Sequence, residues 1–173
     1  MPLPPYTSVP IINALVIRAA AQGARFDKAQ AMLSGILNYY FPISGGFLVA
    51  FSQDRYRVFP PYFYIRRMGR SLQSVTELEH YAMVLILNNV ESEVWTVELL
   101  RMLQTVVPEH RGCWVIIFDM GDMKFFKYHH GPVLTSTNLI PFNQSGLASG
   151  KLNVQRDDDA IDRIFGYILQ NDP

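Results

Sequence analysis

The chain has 173 residues, with fifteen lysines and arginines balanced by fifteen aspartates and glutamates, so no overall field draws it to nucleic acid or an anionic membrane and any basic surface must be local. Hydrophobic residues make up 49%, enough to bury one core at this length without disulfide or metal staples; residues 1–173 are expected as one domain. Cys113 is the only cysteine, which excludes an intramolecular disulfide and a cysteine cluster for zinc; beside Gly112, Trp114 and Val115 it reads as a buried structural thiol at a strand start.

Residues 1–7 are proline-rich and predict an extended arm. They have no basic region before an apolar run, as a secretory signal would. Ser8 can cap a helix with Pro10 in its first turn and Ile11, Leu15 and Arg18 at helical spacing. This apolar stretch, from Val9 to Ala21, is interrupted by Pro10, Asn13 and Arg18 and falls short of the roughly 20 residues a membrane span needs. The expectation is a cytoplasmic or nuclear protein with no membrane association. Ile11, Ile12, Leu15, Val16 and Ile17 make the helix apolar on more than one side, either for burial or for a partner.

After Gly23, Asp27 and Gln30 form a capping-box pattern, and Met32, Leu33, Ile36, Leu37 and Tyr40 make one apolar stripe that Pro42 stops. Beyond Gly45-Gly46, Phe47 to Phe51 is a short continuous apolar run, as in a strand buried on both faces. Ser52 to Arg55 is turn-like. Tyr56 to Ile65 alternates as a strand that Pro60-Pro61 bulges, breaks or holds at an edge. Arg66 to Ser71 reads as an exposed basic loop and Ser74 to His80 as an irregular approach to a third strand, Tyr81 to Asn89. Glu93 to Val107 is a helix with Val94, Val97, Leu100, Leu103 and Val107 on one face, Ser92 as cap and Pro108 beyond. Cys113 to Phe118 and Met123 to His129 make a hairpin around Met120-Gly121-Asp122. Residues 131–156 are expected as mostly loop, with a short strand at Val133 to Leu139. Asp157, Asp158 and Asp159 then complement the dipole of a closing helix carrying Ala160, Ile161, Ile164, Phe165, Ile168 and Leu169.

Two helices, three strands, a helix and a hairpin imply an α/β fold with a mixed central sheet and flanking helices. From Tyr81 onward, the strand to Asn89, the helix after it, Trp114 to Phe118, Lys124-Phe125-Phe126-Lys127-Tyr128 and the last helix resemble the restriction-endonuclease-like, PD-(D/E)XK superfamily in its divergent fungal form. The likeness lies in the order of elements and covers roughly the last half of the chain. It implies a core of order α-β-β-β-α-β-β-α and a fungal origin. It also implies a catalytic carboxylate at Ile86, a lysine at Asn88 and an aspartate near Pro60, Pro61 or Tyr62, and none of these residues can do that chemistry. Acids that could rebuild a site are Glu77, Glu79, Glu91, Glu93, Asp119 and Asp122, with Glu79 and Asp119 as the candidate pair.

His129 and His130 are adjacent and so point to opposite faces of a strand, and with His80 and His110 they make no recognisable ligand set. No Gly-x-Ser-x-Gly elbow, Walker loop or His-Glu-x-x-His is present. Arg55, Arg57, Arg66, Arg67 and Arg70, joined by Lys124 and Lys127 and interleaved with Tyr62 and Tyr64, could contact phosphates while the rings stack on bases. The expectation is a non-catalytic interaction or regulatory module without a cofactor, on a degenerate nuclease-like scaffold, with a protein partner or a second copy of itself. A sequence pI near 6.9 favours such association. The alternatives are a nuclease with a relocated metal site and a nucleic-acid-binding module without hydrolysis.

Overall fold

The computed structural model describes residues 4–21, 25–53, 60–68, 78–87, 92–108, 111–131, 138–143 and 150–173, with backbone alone at 78–80 and 92–95. Residues 4–8 do not extend as an arm. Tyr6–Ser8 form a 3-10 turn in which Tyr6 is fully buried, its hydroxyl donating to the Val154 carbonyl at 2.5 Å while Thr7 donates to Asp158. The segment is anchored because an aromatic ring and two hydroxyls find partners beside the last helix. In α1 (Pro10–Ala21) the first helical carbonyl comes from Val9, which accepts from the Asn13 N–H at 3.0 Å; Ser8 is used up by the preceding turn. Ile12, Val16 and Ala19 are buried and Ile11 and Ile17 exposed, so α1 buries one side only.

α2 (Phe26–Tyr40) starts one residue before Asp27. The expected capping box does not form: Arg25 is the N-cap, with no side-chain cap bond, and Asp27 lies inside the first turn between Arg25 at 3.6 Å and Lys28 at 3.7 Å. Its carboxylate complements the helix dipole from there. The stripe Met32, Leu33, Ile36, Leu37 and Tyr40 is buried as its spacing predicts, and the helix ends before Pro42.

The strands are β1 (Phe47–Ser52), β2 (Tyr62–Met68), β3 (Leu78–Leu87), β4 (Gly112–Asp119), β5 (Asp122–His129), β6 (Leu139–Pro141) and β7 (Leu152–Asn153); α3 (Ser92–Val106) joins β3 to β4, and α4 (Asp158–Gln170) follows β7. The sheet order is β1-β2-β3-β4-β5-β6, with β7 also on β5. β3 and β4 are parallel and the other described pairs antiparallel, which makes a mixed sheet within an α/β fold. Three expectations change. β1 is an edge strand with only its first residue buried. Arg66 and Arg67 belong to β2 rather than a loop, and β3 already begins at Leu78. Between Ile65 and Arg66 the register with β3 shifts by one, leaving Tyr81 as a bulged residue; Tyr81 and Ala82 therefore join the same core cluster although adjacent.

The sheet separates two cores. On the first face α1, α2 and α4 pack over Phe63, Ile65, Ala82, Val84, Ile86, Trp114, Ile116, Phe118 and Phe125. On the second face Leu99, Leu100 and Leu103 of α3, with Val107 just after it, lie over Met83, Leu85, Leu87, Val115 and Ile117. Val97, expected in that stripe, is 47% exposed. The central strands β3 and β4 are thus the ones buried on both faces, which explains their unbroken apolar sequences.

Candidate functional site

The positions where the resemblance implies nuclease ligands fall next to one another. Ile86 donates its N–H to the Pro61 carbonyl at 2.9 Å, so the implied carboxylate position and the implied aspartate position adjoin across β2 and β3. Ile86 is 1% exposed and packs in the first-face core among the helices. Neither an isoleucine nor a proline side chain has an oxygen to offer a cation, and the Ile86 side chain is part of the core. Asn88 lies outside the described residues.

The relocated pair Glu79 and Asp119 cannot meet. Asp119 stands in register with Leu87 at the end of the parallel β3 and β4 pair, and Glu79 lies eight residues earlier on β3. At ~3.3 Å per residue that separates their backbones by roughly 26 Å. The register instead sets Asp119 directly across from Asp122. Asp122 accepts from Asn153 Nδ2 at 3.0 Å, whereas Asp119 Oδ1 is buried without a hydrogen-bond partner. Among the described residues no group of three His, Cys, Asp or Glu side chains could hold a metal. Glu77, Glu91 and His110 lie outside the described residues.

Asp157 and Asp158 serve local structure. Asp157 Oδ2 accepts the Asn153 N–H at 2.7 Å, Asp158 Oδ1 accepts the Asp159 N–H at 3.1 Å, and Asp158 also receives Thr7. Cys113 is fully buried, and burial pushes its thiol up to about 12. The His129 imidazole is held below its ordinary value by burial and then by the nearby Lys127 charge.

Strand alternation divides the basic residues. Arg67 points to the first face, over the Tyr81 ring at 4.8 Å and paired with Asp172. Arg66 points to the second face, over the Tyr64 ring at 5.0 Å, with Tyr62 and Tyr64 centroids 6.4 Å apart beside it. Its Nε is buried without a hydrogen-bond partner. Lys127 lies over Trp114 at 5.5 Å on the first face. Lys124, opposite Ile117, shares the second face with Arg66 but stands three strands away. Arg55, Arg57 and Arg70 lie outside the described residues. The structure therefore brings Arg66 together with Tyr62 and Tyr64 and does not bring the other described cations to them.

On the first face, Arg67, Tyr81 and Trp114 grip the segment after α4. The Tyr81 hydroxyl shares its one proton between the Ile168 carbonyl and that of Asn171, the latter at 3.0 Å, and Trp114 Nε1 donates to the Asn171 carbonyl at 3.3 Å. Pro173 then passes so close to Gly112 that a Cβ there would lie 2.6 Å from its carbonyl carbon. Between α1, α2 and the β4–β5 turn lies a pocket of about 170 Å³ lined by Ala19, Met32, Phe118, Met120 and Val154 among others; ligand sites usually exceed roughly 300 Å³.

Sequence reading missed that β1 lies at the edge of the sheet, with no strand on its outer side among the described residues. In an antiparallel pair, backbone groups point alternately to the partner and away from it. Met68 donates its N–H to the Gly46 carbonyl at 3.0 Å, and this register continues through Leu48 with Arg66, Ala50 with Tyr64 and Ser52 with Tyr62. The N–H and C=O groups of Phe47, Val49 and Phe51 consequently face away from β2. Next to this edge Leu48 and Met68 are diagonal neighbours on the second face, and Leu48, Met68 and Ile43 are all exposed. The signal available in sequence was the short uncharged run itself, which equally suits a central strand.

Among the described residues no helix is long and apolar enough to cross a membrane. No family model, no curated protein and no solved structure matches the chain.

Proposed function

We propose that this chain is a non-catalytic interaction or regulatory module on a nuclease-like α/β scaffold, working through a protein partner rather than through hydrolysis. The observation that carries this reading is the Pro61–Ile86 pair: adjoining positions where a nuclease of the resembled kind would present acids to a cation hold a proline and a core isoleucine. The separation of Glu79 from Asp119 supports it further, because the two members of that pair lie at opposite ends of β3 and β4. The exposed apolar residues near β1 supply a surface that association would cover.

A second reading, nucleic-acid binding without hydrolysis, is favoured by one feature, the Arg66 guanidinium over Tyr64 beside Tyr62. Cation and ring together suit a phosphate and a stacked base. Mobility-shift titrations with single- and double-stranded DNA and RNA over a salt series separate the two. The main reading expects no shift at physiological salt. A shift that weakens with salt and is lost in Arg66→Ala would replace it with the nucleic-acid module.

A further inference from the structure

We propose that β1 is a homodimerisation strand, pairing antiparallel with β1 of a second copy about a two-fold axis through Val49. This deepens the interaction role proposed above, on which it rests, by naming the partner.

The two edges of the sheet are built differently. The far edge is blunted by two short strands, β6 of three residues ending in Pro141 and β7 of two, the kind of device that keeps an edge from pairing. Among the described residues β1 has no such protection. Its six residues hold no proline and no charge, and its register with β2 runs from Phe47 to Ser52 without a bulge. Among the described residues nothing pairs with its outer side.

The geometry closes on itself. A two-fold axis through Val49 sets Phe47 opposite the second copy's Phe51, Val49 opposite Val49, and Phe51 opposite Phe47. These are the residues whose N–H and C=O groups face away from β2, so every facing donor meets an acceptor in one register. Directly opposite residues share a face, so the half-buried Phe51 of each copy would lie beside the other's Phe47, whose ring is already packed against Phe41 and Tyr81, on the first face, and Leu48 would lie beside Ala50 on the second. Aromatic cross-strand pairs of this kind favour one register over its neighbours. A one-residue slip would bring the groups already bonded to β2 to the interface and pair nothing. The pairing is isologous and closed, using up the open edge rather than propagating it. With fifteen positive against fifteen negative residues, no net charge keeps two copies apart.

Sedimentation equilibrium of the full chain across micromolar to sub-millimolar concentrations, combined with residue-resolved amide exchange, tests this. The expected result is a monomer–dimer equilibrium in which the amides of Phe47, Val49 and Phe51 gain protection as concentration rises. Those of Leu48, Ala50 and Ser52 should be protected throughout. Val49→Pro removes an outward N–H without touching the ladder to β2, and should weaken the dimer about tenfold or more while the variant still unfolds cooperatively. Leu48→Lys, at an exposed position beside the axis, gives a second route to the monomer should the proline variant misfold. A monomer at every concentration, a dimer as tight in both folded variants, or outward amides indifferent to concentration would each overturn the proposal. None of these outcomes depends on nucleic acid or hydrolysis, so the dimer fails separately from the non-catalytic reading.

Discussion

Tyr81 shows how a local irregularity sets an anchor. The bulge turns its ring into the first-face core, and its hydroxyl meets carbonyls at the end of α4. Burial pushes its pKa from 10.0 up to about 12, against the lowering effect of Arg67. A folded tyrosine that holds its proton more tightly than the unfolded one contributes stability that is complete below pH 10 and is lost as pH rises toward 12. Urea unfolding free energies should therefore decline over that alkaline window, and decline less steeply in Tyr81→Phe. At neutral pH the same substitution should cost about 1–3 kcal/mol, because buried carbonyls lose their donor. Tyr40 is held still further above its ordinary value, by burial and then by its 2.6 Å hydrogen bond to Asp162, and adds to the same alkaline sensitivity. Cys113 behaves as its sequence setting predicts. With its thiol buried and its pKa raised, modification by an aromatic disulfide reagent should proceed at the rate of global unfolding and accelerate with urea in parallel with it. Rapid labelling under native conditions would contradict this.

α3 is the helix that covers the second face, so its buried side determines how firmly that face is closed. Leu103→Ala should destabilise by about 2–5 kcal/mol, since Leu103 is fully buried. Val97→Lys, on the exposed side, should stay within about 0.5 kcal/mol of the parent; chemical denaturation of the two variants separates these outcomes. The 3.6-residue period located this helix and most of its buried residues. It took in Val97 and passed over Leu99 because Val97 stands three residues before Leu100 just as Leu99 stands four before Leu103, and only the position of the sheet decides which of the two is covered. The hairpin between β4 and β5 turns on Met120 and Gly121, with φ of 50° and 97°, the left-handed pair typical of a two-residue hairpin turn. Asparagine tolerates that conformation better than methionine. Met120→Asn should accordingly raise stability by a few tenths to about 1 kcal/mol, measured by thermal unfolding.

Across the molecule, the α/β class, the mixed sheet and the order of its main elements were legible because apolar runs, proline stops and one long helix between strands constrain the layers. Pairing partners were not. The run Phe47 to Phe51 reads as a strand buried on both faces, yet it lies at the edge because the doubly covered positions go to β3 and β4. Arg66 and Arg67 read as a loop because Gly69 and the charges suggest one. In the sheet their alternation sends one to Tyr64 and the other to Tyr81 and Asp172, which no linear pattern of cations reveals. That Ile86 and the segment from Pro60 to Tyr62 carry no acid was visible in the sequence. That Pro61 and Ile86 adjoin, and that Glu79 and Asp119 lie far apart, required the strand register.

Hydrolysis is best examined under single-turnover conditions, with the protein in excess over end-labelled single- and double-stranded DNA and RNA and with Mg²⁺ or Mn²⁺ supplied. On the reading proposed above, in which Pro61 and Ile86 stand where the resemblance implies acids, every substrate should remain intact over hours, and Asp119→Ala and Asp122→Ala should be indistinguishable from the parent. Metal-dependent cleavage that a chelator stops and that Asp119→Ala or Asp122→Ala abolishes, with folding unchanged, would make this chain an enzyme and end the non-catalytic reading.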